Sequence, residues 1–244
     1  MPPGACRWFS VHANDYALAH GLRDTRATVE TWQRGRWVVL GHWAALSFAI
    51  SCALLLATLL VSSFMVSDLT RLGIAGVTHP ADFEDFLRIL GRNSTVLAFH
   101  AMACVAGFIA GASMPIAAEN RTGISRWVHT KAGELAILYV VAVTIFSLSV
   151  QAYVLGFQAA ALSGQLQITN VELILSVAPH ALIELTALFL PLAAWVVAAR
   201  KAEWNQLLAA TLITVVIAIP MLIVGALLEL LLWPEILITI SPTA

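Results

Sequence analysis

The sequence predicts an all-α integral membrane protein: a bundle of about five transmembrane helices, an outer amphipathic helix and an N-terminal cytoplasmic arm. Three observations predict it. Only 11% of the 244 residues are charged and 60% are hydrophobic, whereas a soluble domain carries about 25% charged residues. Mean hydropathy is +0.86. Apolar runs longer than the ~20 residues that cross a bilayer recur along the chain. A span this apolar must satisfy its backbone within itself, which leaves helices or a closed barrel. The alternating segments of about ten residues that build a barrel are not visible.

Residues 1–37 precede the first run. Leu22, Thr25, Val29 and Trp32 recur at helical spacing with arginines between them, so this cytoplasmic arm reads as a short amphipathic helix. It is either a solvated lead into the first span or a surface anchor held on lipid by Trp32, Trp37 and the arginines. The first apolar run starts after a long polar lead and exceeds the core of a signal peptide, so it is expected to be retained. The transmembrane domain, 38–244, then holds spans at about 38–66, 95–118, 134–162, 173–199 and 206–232. Between the first two spans lies "HPADFEDFLRILGRN", with Phe83, Phe86, Leu87 and Leu90 at i, i+3, i+4 and i+7. That spacing makes an amphipathic helix, placed at the outer interface or capping the bundle. Asp82 is its candidate N-cap, with Asp85 three residues on.

Orientation follows from basic residues flanking the spans. Arg7, Arg23, Arg26, Arg34, Arg36, Arg121, Arg126, Lys131, Arg200 and Lys201 fall on one side; Arg71, Arg88 and Arg92 fall on the other. Ten against three places the N-terminus in the cytoplasm and the C-terminus outside, in a multi-pass plasma-membrane protein. A net charge of -1 offers no field for nucleic acid. Cys6, Cys52 and Cys104 show no zinc or disulfide spacing, and no metal site is expected.

Ionisable and polar groups inside the spans are the informative residues, because each is costly in hydrocarbon. The candidates are His100, Gln151, Gln158, His180, Glu184 and Glu229. With ~1.5 Å of rise per residue, His100 lies roughly 9 Å below the outer end of its span, Gln158 and Glu229 roughly 6 Å, His180 roughly 12 Å and Glu184 roughly 18 Å. Four helices thus bring polar groups to the outer half. His180 and Glu184 are i, i+4 neighbours on one face. Pro179 either kinks the fourth span next to this patch or opens it as a first-turn proline. Interhelical polar glue, a functional polar site and a bis-histidine haem on His100 and His180 are three readings of the set; no cofactor is assigned. Gly107 and Gly111 form a GxxxG, which signals close approach of a neighbouring helix.

Four stretches carry a resemblance. "APHALIELTALFLPLAAW" holds Pro179, His180, Glu184 and Ala187; "LRILGRNSTVLAFHAMACVAGFIAG" holds Asn93, Gly107 and Gly111; "VQAYVLGFQAAA" holds Gly156; "AIPMLIVGALLELLLWPEI" holds Glu229 and Pro234. In order and spacing, over about residues 85–240, they resemble the stage II sporulation protein M family of bacterial and archaeal membrane proteins. Ala181 stands where that family has a glycine and Arg92 where it has the first of two asparagines, as in a divergent branch. The resemblance implies a multi-spanning protein without an established catalytic activity, acting in membrane complexes; sporulation itself does not transfer. The expected function is therefore a non-enzymatic scaffold or subunit of a membrane complex, whose partners are lipids and other membrane or cell-envelope proteins. A homodimer through small-residue faces stays open. The alternative is a permease-like transport subunit that uses His100, His180, Glu184 and Glu229.

Overall fold

The structure is a computed structural model and describes residues 23, 25–30, 36–66 and 72–243. Most of the 1–37 arm lies outside the described residues; within it, residues 25–30 are helical and Arg26 pairs with Glu30 at 3.1 Å. Most of the rest is helical: α1 (Arg36–Phe64), α2 (Phe83–Phe108), α3 (Gly123–Thr130), α4 (Ala132–Leu166), α5 (Asn170–Lys201), α6 (Leu207–Leu231) and α7 (Trp233–Ile240). Five stretches are long and apolar enough to span a bilayer: Val38–Phe64, Phe83–Asn120, Ala132–Leu166, Asn170–Lys201 and Trp204–Ile240. Their outward faces carry large apolar side chains such as Leu56, Phe99, Leu138 and Val216. In water such a surface would be unstable, but hydrocarbon solvates it.

The spans run alternately up and down. The upper end carries residues 72–82, the tight 167–169 connection and α7; the lower end carries α3 and residues 202–206. Arg121, Arg126, Lys131, Arg200 and Lys201 gather at the lower end, while Arg88 and Arg92 stand at the upper end. α5 is the axis of the bundle, touching α1, α2, α4 and α6. Its most apolar stretch is 67% buried, against 6% for α4, which rides on the periphery. Around α5, Trp43 packs on Leu190 and Ala194; Leu97 and Leu222 pack on Leu188; Leu54 and Ala152 pack on Phe189.

Local chemistry sets the ends of α5. Thr169 and Glu172 form a reciprocal capping box that starts the helix at Asn170. Pro179 is therefore interior, and the helix runs continuously through Pro179 and Pro191; it does not begin at the proline. At the other end Ala202 adopts φ 54. A Cβ disfavours that left-handed conformation by about 1–2 kcal/mol. Because glycine is the usual residue at such a cap, Ala202→Gly is expected to raise the unfolding midpoint of detergent-solubilised protein; an unchanged or lower midpoint would contradict the strain.

The "HPADFEDFLRILGRN" segment differs from the expectation of a separate interfacial or capping helix. It forms the first turns of α2, which continues without a break to Phe108. Phe83, 70% exposed, and Leu87, 50% exposed, point outward, Leu90 packs against the Leu97, Leu188 and Leu222 cluster, and the buried residue of the first turns is Asp85. The reason lies in the capping box: Asp82 accepts from Asp85 N at 2.9 Å and Asp85 accepts from Asp82 N at 3.2 Å, and Arg88 pairs with the same carboxylate. Those bonds turn Asp85 toward the bundle and leave Phe83 and Leu87 facing outward.

The GxxxG glycines make room for indole rings. α2 passes into a π-helical turn, Ile109–Ser113, at this point. A Cβ on Gly107 would meet Trp195 Nε1 at 2.4 Å, and one on Gly111 would meet the Trp204 ring at 2.1 Å. The two tryptophans meet edge to face with centroids 6.4 Å apart.

Candidate functional site

Three ladders of four-residue spacing converge at the upper end. α5 supplies Ser176, His180 and Glu184; α6 and the start of α7 supply Gly225, Glu229 and Trp233; α2 supplies Asp85, Ile89 and Asn93. Residues four apart share a helix face, so each ladder lies along one face of its helix.

At the lowest rung, Asn93 Nδ2 donates to Glu184 Oε2 at 3.0 Å, joining α2 to α5 inside the bundle. Both side chains are buried. Glu184 Oε1 is also buried and has no hydrogen-bond partner among the described residues. Gly225 lets α6 close onto this carboxyl, since a Cβ there would stand 2.3 Å from Glu184 Cγ and 2.9 Å from Oε1. Glu229 and Arg92 lie within electrostatic range of Glu184. One rung up, the His180 ring lies against Trp233, with centroids 5.4 Å apart. Trp233 Nε1 donates to Ser176 Oγ at 3.1 Å, which anchors the indole to α5.

Above these rungs a cleft of about 200 Å³ opens between α2, α6, Trp233 and the 73–79 loop. His79, Asp85, Arg88, Arg92 and Glu229 bring its charge. Asp85 is engaged on both sides, by Arg88 and by His79 Nε2 at 3.4 Å. The loop is held in place from below and beside. Gln165 brackets the backbone of Leu72 with bonds of 2.9 and 3.1 Å, and Gly76, at φ 81, rests on the Pro234 ring. The glycine is required twice there, by its positive φ and because a Cβ would stand 2.7 Å from the ring.

The structure thus gathers Asn93, His180, Glu184 and Glu229 but not every candidate. His100 lies deeper: its Nδ1 donates to Leu188 O at 2.8 Å and its ring packs on Phe189. Leu188 is two turns beyond His180 along α5, a rise of about 12 Å, so the two imidazoles serve different levels. Gln158 is exposed on the outer face of α4, away from the cluster. Gln151 bonds Ser147 on its own helix at 3.1 Å. Among the described residues no three His, Cys, Asp or Glu side chains gather closely enough to hold a metal ion. The Cys104 thiol donates to Pro191 O at 3.1 Å as part of the α2–α5 packing.

Arg92, Trp233, Ser176 and Gly225 were not among the sequence candidates. Trp233 and Gly225 stand four residues on either side of Glu229, and Ser176 four before His180. The periodicity that singled out His180 and Glu184 would have found them had small and aromatic residues been counted with the charged ones. Compared with family models, curated proteins and solved structures, the chain gives no match.

Proposed function

We propose that this chain is a non-enzymatic, multi-spanning subunit of a plasma-membrane complex, a divergent relative of the stage II sporulation protein M family, that positions other membrane or cell-envelope proteins. The observation that carries the reading is the joining of the signature positions. Asn93 and Glu184 hydrogen-bond to each other, His180 sits one turn above, and Glu229 faces them from α6. Asn93 and Glu184 thus join α2 to α5 at one end, with α6 packed on Glu184 at Gly225, which is what a scaffold that presents a shaped surface needs. The N-terminus is cytoplasmic in this reading, because the basic lower end is the retained side.

Two experiments test it. Purification of the intact protein in mild detergent with mass measurement is expected to give co-purifying membrane proteins in reproducible ratio; a consistently solitary protein would count against the scaffold. For orientation, single cysteines in a chain whose native cysteines are replaced are probed with an impermeant thiol reagent on intact cells. Thr239→Cys is expected to label and Thr130→Cys to label only after lysis; the reverse pattern would invert the topology.

The cleft supports a second reading, a permease-like transport subunit. A recess whose walls carry His79, Asp85, Arg88, Arg92 and Glu229 is the form a substrate path takes at its mouth. Glu184→Gln and Glu229→Gln separate the two functions: a transport subunit loses uptake while keeping its partners, and a scaffold keeps both.

A further inference from the structure

The upper cleft carries opposite charges in equal number, but they are not all paired. Arg88, Arg92, Asp85 and Glu229 line it together with the His79 imidazole. Asp85 is engaged on every side. Arg88 and His79 Nε2 meet its carboxylate, and the same group accepts from Asp82 N. The other ring nitrogen of His79 is hydrogen-bonded to Thr78 Oγ1 at 3.2 Å. The Trp233 indole on the cleft wall donates its N–H to Ser176. Glu184 and His180 lie outside the cleft, on Asn93 and Trp233, and are no part of its lining. What remains is Arg92 on α2 and Glu229 on α6. Both line the same cleft of about 200 Å³, yet neither side chain is within ion-pair distance of a partner among the described residues.

A recess that holds one positive and one negative group apart complements a ligand that carries both charges. A simple anion on Arg92 would place like charge near Glu229, and a simple cation on Glu229 would do the same to Arg92. The guanidinium fork matches the oxygens of a phosphate. A carboxylate accepts from a primary ammonium, which has three donors. The volume is below the roughly 300–1,000 Å³ of a site for a drug-sized ligand, so it suits one small headgroup.

Depth and surroundings favour a lipid. The span Phe83–Asn120 has 38 residues. At ~1.5 Å per residue it measures roughly 57 Å, against about 30 Å of hydrocarbon. Shared between the two ends, the excess puts Arg92, roughly 13 Å along the helix from Phe83, at the edge of the hydrocarbon, where phosphates lie. Leu87, next to Arg88, and Leu232, next to Trp233, are exposed apolar side chains beside which acyl chains would run. Basic pockets between membrane helices hold lipid headgroups in this way.

We propose that the upper cleft binds one zwitterionic phosphate–ammonium group, its phosphate on Arg92 and its primary ammonium on Glu229, supplied by an ethanolamine phospholipid or by the free soluble headgroup. The site goes beyond both readings of the function, since it concerns what the cleft holds and not which proteins the chain joins.

The test uses the full chain in detergent, stripped of lipid. It is titrated with three phospholipids of identical acyl chains, and native mass spectrometry reads the bound lipid. The ethanolamine lipid offers phosphate and primary ammonium, the glycerol lipid phosphate alone, and the choline lipid an ammonium without N–H. The ethanolamine lipid is expected to fill one saturable site at least tenfold more tightly than the other two. Arg92→Gln should weaken it at least tenfold, and Glu229→Gln should reduce it to the affinity of the glycerol lipid. Soluble glycerophosphoethanolamine separates the sources. Competition at concentrations equal to the lipid identifies the free headgroup as the ligand; no competition identifies the lipid. The proposal is overturned if the wild type binds the three lipids alike, as it would if Arg92 and Glu229 served only each other. It is overturned equally if either folded variant binds the ethanolamine lipid as the wild type does. Arg92 is exposed and Glu229 half-buried; should one variant fail to fold, the wild-type preference and the other variant decide.

Discussion

Gly225→Val is expected to destabilise the protein by about 1–3 kcal/mol and to open the α2–α5–α6 junction. The first β-carbon alone would stand 2.3 Å from Glu184 Cγ and 3.1 Å from Cδ, closer than real contacts allow. Either α6 moves off α5 or the glutamate turns away. The first costs roughly 1–3 kcal/mol of overpacking; the second loses the Asn93 bond, worth roughly 1.5–3 kcal/mol for a hydrogen bond to a charged group. Apparent stability in detergent or bicelles measures the loss. A double-mutant cycle identifies its origin. Glu184→Ala removes the obstacle, so the pair should be less damaging than the sum of the singles by ~0.5–3 kcal/mol. Strict additivity would mean that Gly225 is needed for some other contact.

Trp195→Ala is the second large effect, with an expected loss of about 3–5 kcal/mol. The indole is 1% exposed and fills the space between α5 and α2 beside Cys104, Phe108 and Leu207. Gly107 is shaped around it, and Trp204 meets it edge to face. Helix association in a membrane rests on packing, because lipid offers no hydrophobic drive between helices. A cavity in this position removes contacts from three helices together. Trp195→Phe should be much milder. The ring keeps most of its volume, and Trp195 Nε1 has no hydrogen-bond partner to lose among the described residues. If Phe proved as harmful as Ala, the nitrogen would have a role that packing does not explain. Unfolding midpoints of the two variants side by side settle it.

The five spans were legible because their signal is one-dimensional. A run of apolar residues long enough to cross hydrocarbon has few alternatives to a helix. The Asp82 and Asp85 cap was legible for a similar reason, since a capping box is written in neighbouring residues. The amphipathic stripe at Phe83 was visible too, but its direction was not. In water an apolar face turns inward, and in lipid it turns outward. Only the capping bonds that drive Asp85 inward decide between them. Pro179 shows the same limit: a proline ten residues into a helix and a proline that opens one read alike until the Thr169–Glu172 cap is seen.

The candidate site divides along the same line. Sequence by itself determined the class of protein, the spans, and a short register of costly residues at similar depth, because the cost of a polar group in a membrane depends on residue type and position along the span. It could not say which costly residues meet. Rotation of each helix about its axis is set by side-chain packing, and an error of half a turn moves a residue from the core to the lipid. Tertiary structure therefore decided that Gln158 faces outward and that His100 spends its ring on Leu188. It also decided that Asn93, His180, Glu184 and Glu229 share one end of the bundle beneath a charged cleft. The physical reason is that depth accumulates along a chain, whereas contact depends on how neighbouring helices fit.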